Sequence, residues 1–227
     1  MKRSTIVILT ILVVLILDQC LKFYVKLNVP FGQDQPILGF SWANIHFVEN
    51  KGMAFGFSFG GEAGKYFLSI FRIIMVGFLF YLMKGLIMGN ESKGLIFCFS
   101  LIIAGAIGNI IDSMFYGLIF SASNIHNPYA TLFPEGGGYA PFLQGKVVDM
   151  LYFPIVEGTW PSWIPKLGNR PFTFFSPVFN IADAAISTGV ISILLFFRKF
   201  FIGGDKPSES DLTPVMDNPP SGITEEE

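Results

Sequence analysis

The sequence predicts an all-α membrane protein of four transmembrane helices joined by long outer loops that carry small β elements. Three observations predict it. The 227-residue chain is 52% hydrophobic and only 14% charged, with 26 Phe, a composition far from that of a soluble domain. Four stretches reach the ~20 predominantly apolar residues that cross hydrocarbon: Ser4 to Val25, Tyr66 to Met88, Gly94 to Phe120 and Ile181 to Ile202. Basic residues also crowd the span ends on one side, which orients the bundle.

The first span follows Lys2 and Arg3 and is interrupted by Asp18 and Lys22. A cleaved lipoprotein signal is a poor reading of it, because LDQC lacks a small residue before Cys20 and Asp18 breaks the apolar run. The second and third spans are joined by a short turn bracketed by Lys84 and Lys93, and the fourth closes on Arg198, Lys199 and Lys206. An even number of spans puts both termini on this basic side, which the positive-inside rule makes the cytoplasm. Cys20 and Cys98 each lie in an apolar run, so they say nothing of redox compartment. A net charge of −2 without a basic block argues against nucleic acid.

Two loops, Leu27 to Lys65 and Ser121 to Phe179, face outward and are rich in Gly, Pro and aromatics with short alternating runs such as ANIHFVEN. Trp42, Trp160 and Trp163 fall in them, where amphipathic rings favour the headgroup layer. Loops of this length usually carry function. From Gly203 the chain turns to Pro, Ser, Asp and Glu, which predicts a disordered cytoplasmic tail over residues 204–227.

Acids in or beside apolar segments are the chemical signal, since an intramembrane charge costs at least ~2.5 kcal/mol. In DQCLK, Asp18 and Lys22 share a helix face and can neutralise one another or bind substrate. In AGAIGNIID, Gly105, Asn109 and Asp112 share a face, and Ala104 with Gly108 forms a small-xxx-small pair, so this helix belongs inside the bundle. Taken alone, Asn109 and Asp112 read first as polar glue between helices. In FNIADAAIS, Asn180, Asp183 and Ser187 again make one polar face. Asp149, ahead of the apolar run MLYFPI, would reach the same membrane level as Asp183. Two neighbouring carboxylates share a proton and can hydrolyse an amide, one as base for water and one as acid for the carbonyl. Carboxylates also serve ion pathways, so a small transporter or channel is the alternative, and a polar-glued scaffold the blandest reading. Asp34 in GQDQP belongs on the aqueous side of the first loop.

Rival chemistries are weaker. GFSFG at Gly56 to Gly60 fits a nucleophile pattern but lacks strand-turn-helix context, and His46 and His126 are the only histidines, so H-E-x-x-H spacing is absent. Arg72 inside the second span must pair with an acid or snorkel.

Taken together, DQCLK, NKGMAFG (Asn50 to Gly56), AGAIGNIID, KVVDM and FNIADAAI stand in the order and span positions of the lipoprotein signal peptidase (signal peptidase II) family, which the chain resembles from Met1 to about Gly203. The resemblance implies an inner-membrane aspartyl endopeptidase that removes the signal peptide of diacylglyceryl-modified prolipoproteins just before the lipidated cysteine. It maps the catalytic pair onto Asp149 and Asp183. It maps supporting or substrate-binding roles onto Asp18, Lys22, Asn50, Gly52, Asn109, Asp112 and Asn180, with Asn50 in an outer β-cradle. It implies no metal or organic cofactor, lipidated prolipoprotein and membrane lipid as partners, and globomycin as inhibitor; a monomer is the default expectation. Two departures stand out. Ser113 occupies a position where the family usually has arginine, and the segment Ser121 to Gly145 is longer than the family's, so that it either extends a lid or alters access.

Overall fold

The computed structural model describes residues 1–50, 61–174, 176–198 and 200. The tail, GFSFG and Gly52 therefore lie outside the described residues. Helix α1 (Arg3–Asn28), α2 (Gly61–Met88) and α3 (Lys93–Ile111) follow the apolar runs closely. The third helix continues through a π-helical stretch, Asp112–Tyr116, and a last turn α4 (Gly117–Ile119), making a continuous rod over Lys93–Ile119. Among the described residues, three helices are thus long and apolar enough to cross a membrane. The remaining long helix, α5 (Ile181–Phe196), is a shorter apolar helix of 16 residues, about 24 Å at 1.5 Å per residue. It ends sooner than the apolar run, with Phe197 capping back onto the Ile193 carbonyl and exposed Arg198 beyond.

Helix α3 is the hub, packing on α1, α2 and α5, as its small and polar residues lead one to expect. The approach of α5 depends on Gly105, where a Cβ would collide with the Ala182 carbonyl oxygen. One apolar core, with Ile6, Leu86, Leu95, Ile96 and Ile103, fills the end holding the N-terminus. There Arg3 donates from Nε to the Glu91 carbonyl (2.9 Å) and from Nη2 to the Asn90 carbonyl (2.7 Å), and the Phe197 ring packs at Gly94. Lys2, Arg3, the Lys84–Lys93 turn and the end of α5 therefore share one end of the bundle, as the basic clusters predict.

The other end carries a four-stranded antiparallel sheet ordered β1 (Asp34–Pro36), β2 (Asn44–Asn50), β3 (Val147–Tyr152), β6 (Val178–Phe179). A separate hairpin pairs β4 (Val156–Thr159) with β5 (Pro171–Phe174). The alternating runs do form strands, and the main sheet unites the two outer loops, with Val48 opposite Asp149 and Asn50 opposite Val147. Under it lies a second core of Val25, Phe47, Tyr116, Phe120, Val148 and Met150. Asp34 is exposed on this sheet, as expected, and pairs with His46.

The long segment 121–145 is packed down on the helix ends. Ala130 N donates to the Lys26 carbonyl and Tyr139 N to the Phe120 carbonyl (both 3.0 Å). Buried Lys26 pairs with Glu49, which also accepts from Lys146 at 2.7 Å, and the rings of Phe47, Phe120 and Tyr139 surround the Lys26 ammonium at 5.1–5.7 Å. At the end of the segment, Gly145 N donates to the Ser113 carbonyl (2.8 Å), satisfying a group that the π-helical stretch releases. Gly145 suits this contact, because a Cβ there would strike the Asp112 carbonyl oxygen.

Candidate active site

The N-terminus of α5 organises the site. Asn180 is its N-cap: Oδ1 accepts from Asp183 N (2.8 Å), while Asp183 Oδ2 accepts from Asn180 N (3.4 Å), a reciprocal capping box. Asp183 is thereby held in the first turn, at the positive end of the helix dipole. Its other oxygen, Oδ1, accepts from Asn109 Nδ2 on α3 at 2.8 Å.

Asp149 is supplied by β3, the strand against which the start of α5 is folded. Val148 and Met150 point into the second core, so alternation turns Asp149 to the opposite face. Only 4% of it is exposed. Asn180 Nδ2 donates to Asp149 Oδ1 at 2.7 Å and also meets the Val148 carbonyl and Asn109 Oδ1, each at 3.2 Å. One buried amide therefore touches Asp149 and caps the turn that holds Asp183. Burial, and next to it the charge of Asp183, push the Asp149 carboxyl up from 3.8 to about 7, against the pull of hydrogen bonds from Asn50 and Asn180 and the charge of Lys22.

Beneath this pair lies a fully buried charged cluster. Lys22 Nζ bridges Asp18 Oδ2 (2.9 Å) and Asp112 Oδ2 (2.8 Å) and donates to Asn109 Oδ1 (3.0 Å). Asp18 Oδ1 accepts from Ala182 N (2.9 Å), another backbone donor of the α5 terminus, and Asp112 Oδ2 accepts from Val148 N (3.2 Å) in β3. The cluster thus fixes both elements that carry Asp149 and Asp183. The structure brings together Asp18, Lys22, Asn50, Asn109, Asp112, Asn180, Asp149 and Asp183 from five parts of the chain, whereas Gly52 lies outside the described residues.

Sequence reasoning passed over Gln19 and left Arg72 and Ser113 without assigned partners. Gln19 Nε2 donates to Asp18 (3.1 Å) and Asp112 (3.0 Å), and its Oε1 accepts from the buried Tyr116 hydroxyl (3.1 Å). The signal for Gln19 is a polar residue beside Asp18 in an otherwise apolar span. Arg72 reaches over from α2, with Nη1 3.5 Å from Ser113 Oγ, so it turns into the bundle at the position where the resemblance implies an arginine on α3. Ser113 Oγ in turn donates to the Asn109 carbonyl (3.0 Å).

A buried carboxyl beside a second carboxylate, both set by amides on fixed elements, is an arrangement suited to activating water against an amide carbonyl. Comparison with known proteins points to a peptidase family. The family model described as "Signal peptidase (SPase) II" matches residues 10–200. A lipoprotein signal peptidase of Porphyromonas gingivalis is 48% identical over 198 residues, covering 87% of this chain and 84% of that protein. One of Amoebophilus asiaticus is 38% identical over 188 residues, covering 81% and 74%. Among solved structures, a bacterial membrane enzyme determined by the in meso method at 1.9 Å matches with a TM-score of 0.53 and 25% identity, covering 85% of this chain and 92% of that one. With the family model matched over most of its length and relatives at 48% and 38% identity, the chain belongs to the signal peptidase II family.

Proposed function

We propose that this protein is a membrane aspartyl endopeptidase that removes the signal peptide of diacylglyceryl-modified prolipoproteins just before the lipidated cysteine, with Asp149 and Asp183 as the reacting pair. The observation that carries this reading is the different treatment of the acids: the site's salt bridges run to Asp18 and Asp112, while Asp149 and Asp183 are held by amides. Asp149, pushed up to about 7, is still about half protonated at neutrality. Asp183 accepts from Asn109 Nδ2 and from the Asn180 backbone N–H, donors that suit a carboxylate acting as acceptor.

A water between them gives its proton to Asp183 as its oxygen attacks the scissile carbonyl, and Asp149 protonates the carbonyl oxygen. Collapse of the tetrahedral intermediate returns a proton to Asp149, and the leaving nitrogen takes the one held by Asp183. The pair titrates as a unit. Asn180 and Asn109 keep the two carboxyls in register, and the Asp18–Lys22–Asp112 cluster fixes the strand and helix beneath them.

In this reading α5 is the fourth span, the basic end of the bundle faces the cytoplasm with both termini, and the sheet forms a cradle at the outer face of the bacterial inner membrane. The enzyme works as a monomer and is inhibited by globomycin. The ion-pathway alternative fits less well, because the acids close into one network with Lys22 and two asparagines. The test is cleavage of a diacylglyceryl-modified precursor by purified protein, with and without globomycin. Asp149→Asn and Asp183→Asn are each expected to lower the rate by about 1,000-fold or more while the protein still inserts; full activity in either variant would sink the dyad.

A further inference from the structure

Between α2, α3 and α5 lies a groove of about 300 Å³ whose walls include Phe71, Met75 and Ile186 together with Arg72, Asn109 and Asp183. It runs from α2 to Asp183 of the proposed reacting pair. An apolar passage with one guanidinium beside the reactive acid fits an amphipathic ligand: an apolar chain bearing carbonyl oxygens.

On the helix of Arg72, α2, no acid lies between Ala63 and Met88. The acids within electrostatic reach are Asp183, Asp112 and Asp149. Of these, Asp112 is already matched by Lys22. Nor is its place accidental. One turn earlier Ser69 Oγ donates to the Leu143 carbonyl at 2.9 Å, and two turns earlier Lys65 Nζ donates to the Gln144 carbonyl, so the long segment clamps α2 against the α3 turn. The clamp points Arg72 inward, toward Ser113 and the groove, where a lipid-facing arginine would otherwise snorkel.

On the proposed peptidase activity, we infer that Arg72 is a substrate-binding residue whose guanidinium donates to carbonyl oxygens of the lipidated precursor as it enters between α2 and α5. A planar fork of N–H donors suits such acceptors better than an ammonium does. The carbonyls belong either to the peptide beside the scissile bond or to the esters of the diacylglyceryl group; the recognition chemistry is the same.

The test is steady-state cleavage by full-length Arg72→Gln and Arg72→Lys enzymes, using precursors with ester-linked and ether-linked lipid, in a preparation whose wild-type enzyme cleaves the native precursor. An inactive wild type would bear on the peptidase assignment, not on Arg72. For Arg72→Gln, KM is expected to rise roughly 10- to 100-fold, the loss of a hydrogen bond from a charged donor, with kcat and the pH profile held. Arg72→Lys keeps the charge in the membrane, guards against misfolding, and is expected to show a smaller rise in KM. If the wild type handles the ether-linked precursor as poorly as Arg72→Gln handles the native one, the partner is the ester; if the Arg72→Gln defect is equal on both precursors, it is the peptide. An unchanged KM in Arg72→Lys and Arg72→Gln, or a shifted pH profile with KM unchanged, would make Arg72 a counter-ion and overturn the proposal.

Discussion

The two groups of acids at the core of this protein differ in their partners. Asp18 and Asp112 are fully buried and share Lys22, with further donors from Gln19, Ala182 N and Val148 N. Asp149 and Asp183, in the layer above, are met by Asn50, Asn109 and Asn180, and each lies within the other's field. A cation fixes a carboxylate as an anion and makes it architecture. An amide orients a carboxyl without deciding its charge, which leaves it free to exchange a proton. The asparagines serve both groups, since Asn109 accepts from Lys22 and donates to Asp183.

The sharpest way to break this contrast is to remove the cation. Lys22→Met would leave Asp18 and Asp112 buried and unpaired, and is expected to destabilise by about 3–5 kcal/mol, read as a large fall in thermal midpoint in detergent. A Lys22→Met protein as stable as the wild type would show that the lower acids are held by something else. The second test is titration. Because Asp149 is raised from 3.8 to about 7, the folded state keeps a proton that the unfolded chain loses near 4. Its contribution to stability is therefore complete at low pH and declines as pH rises from about 4 to about 7, by roughly 4 kcal/mol for a shift of this size. In Asp149→Asn this slope should vanish; its persistence would assign it to another group. Activity should likewise fall above about pH 7 as the pair loses its shared proton. The smallest effect concerns the frame. Gly105→Ala must part α3 from α5 and should cost about 1–3 kcal/mol, with the loss of Asn109–Asp183 contact seen as a lowered kcat rather than a raised KM.

Much of this was legible in the sequence because it is local. Four apolar runs, the Asp18–Lys22 pair at one helical turn, and the shared face of Gly105, Asn109 and Asp112 follow from period and length. The proposed reacting pair was legible as two acids next to apolar runs, but spacing alone made a weak case against an ion pathway, and the family resemblance carried the choice. Arg72 was visible as an expensive charge without a destination. Its direction came from contacts with segment 121–145, about 70 residues away in the chain, which no periodicity encodes. The π-helical stretch was likewise hidden, because Gly145 completes its hydrogen bonds from outside the helix.

What the sequence by itself determined is the class of molecule and the list of polar residues that hydrocarbon would not tolerate without purpose: apolar length and the cost of charge are properties of a chain segment and its solvent. What only the tertiary structure decided is which of those residues are partners. That Lys22 serves Asp18 and Asp112 together, that one asparagine touches Asp149 and caps the helix of Asp183, and that Arg72 looks into a groove all depend on β3, α3 and α5 meeting at one point. Hydrogen bonds act over about 3 Å, and only packing brings Asn109 within that distance of Asp183, Asp149 of Asn180 and Asp18 of Ala182.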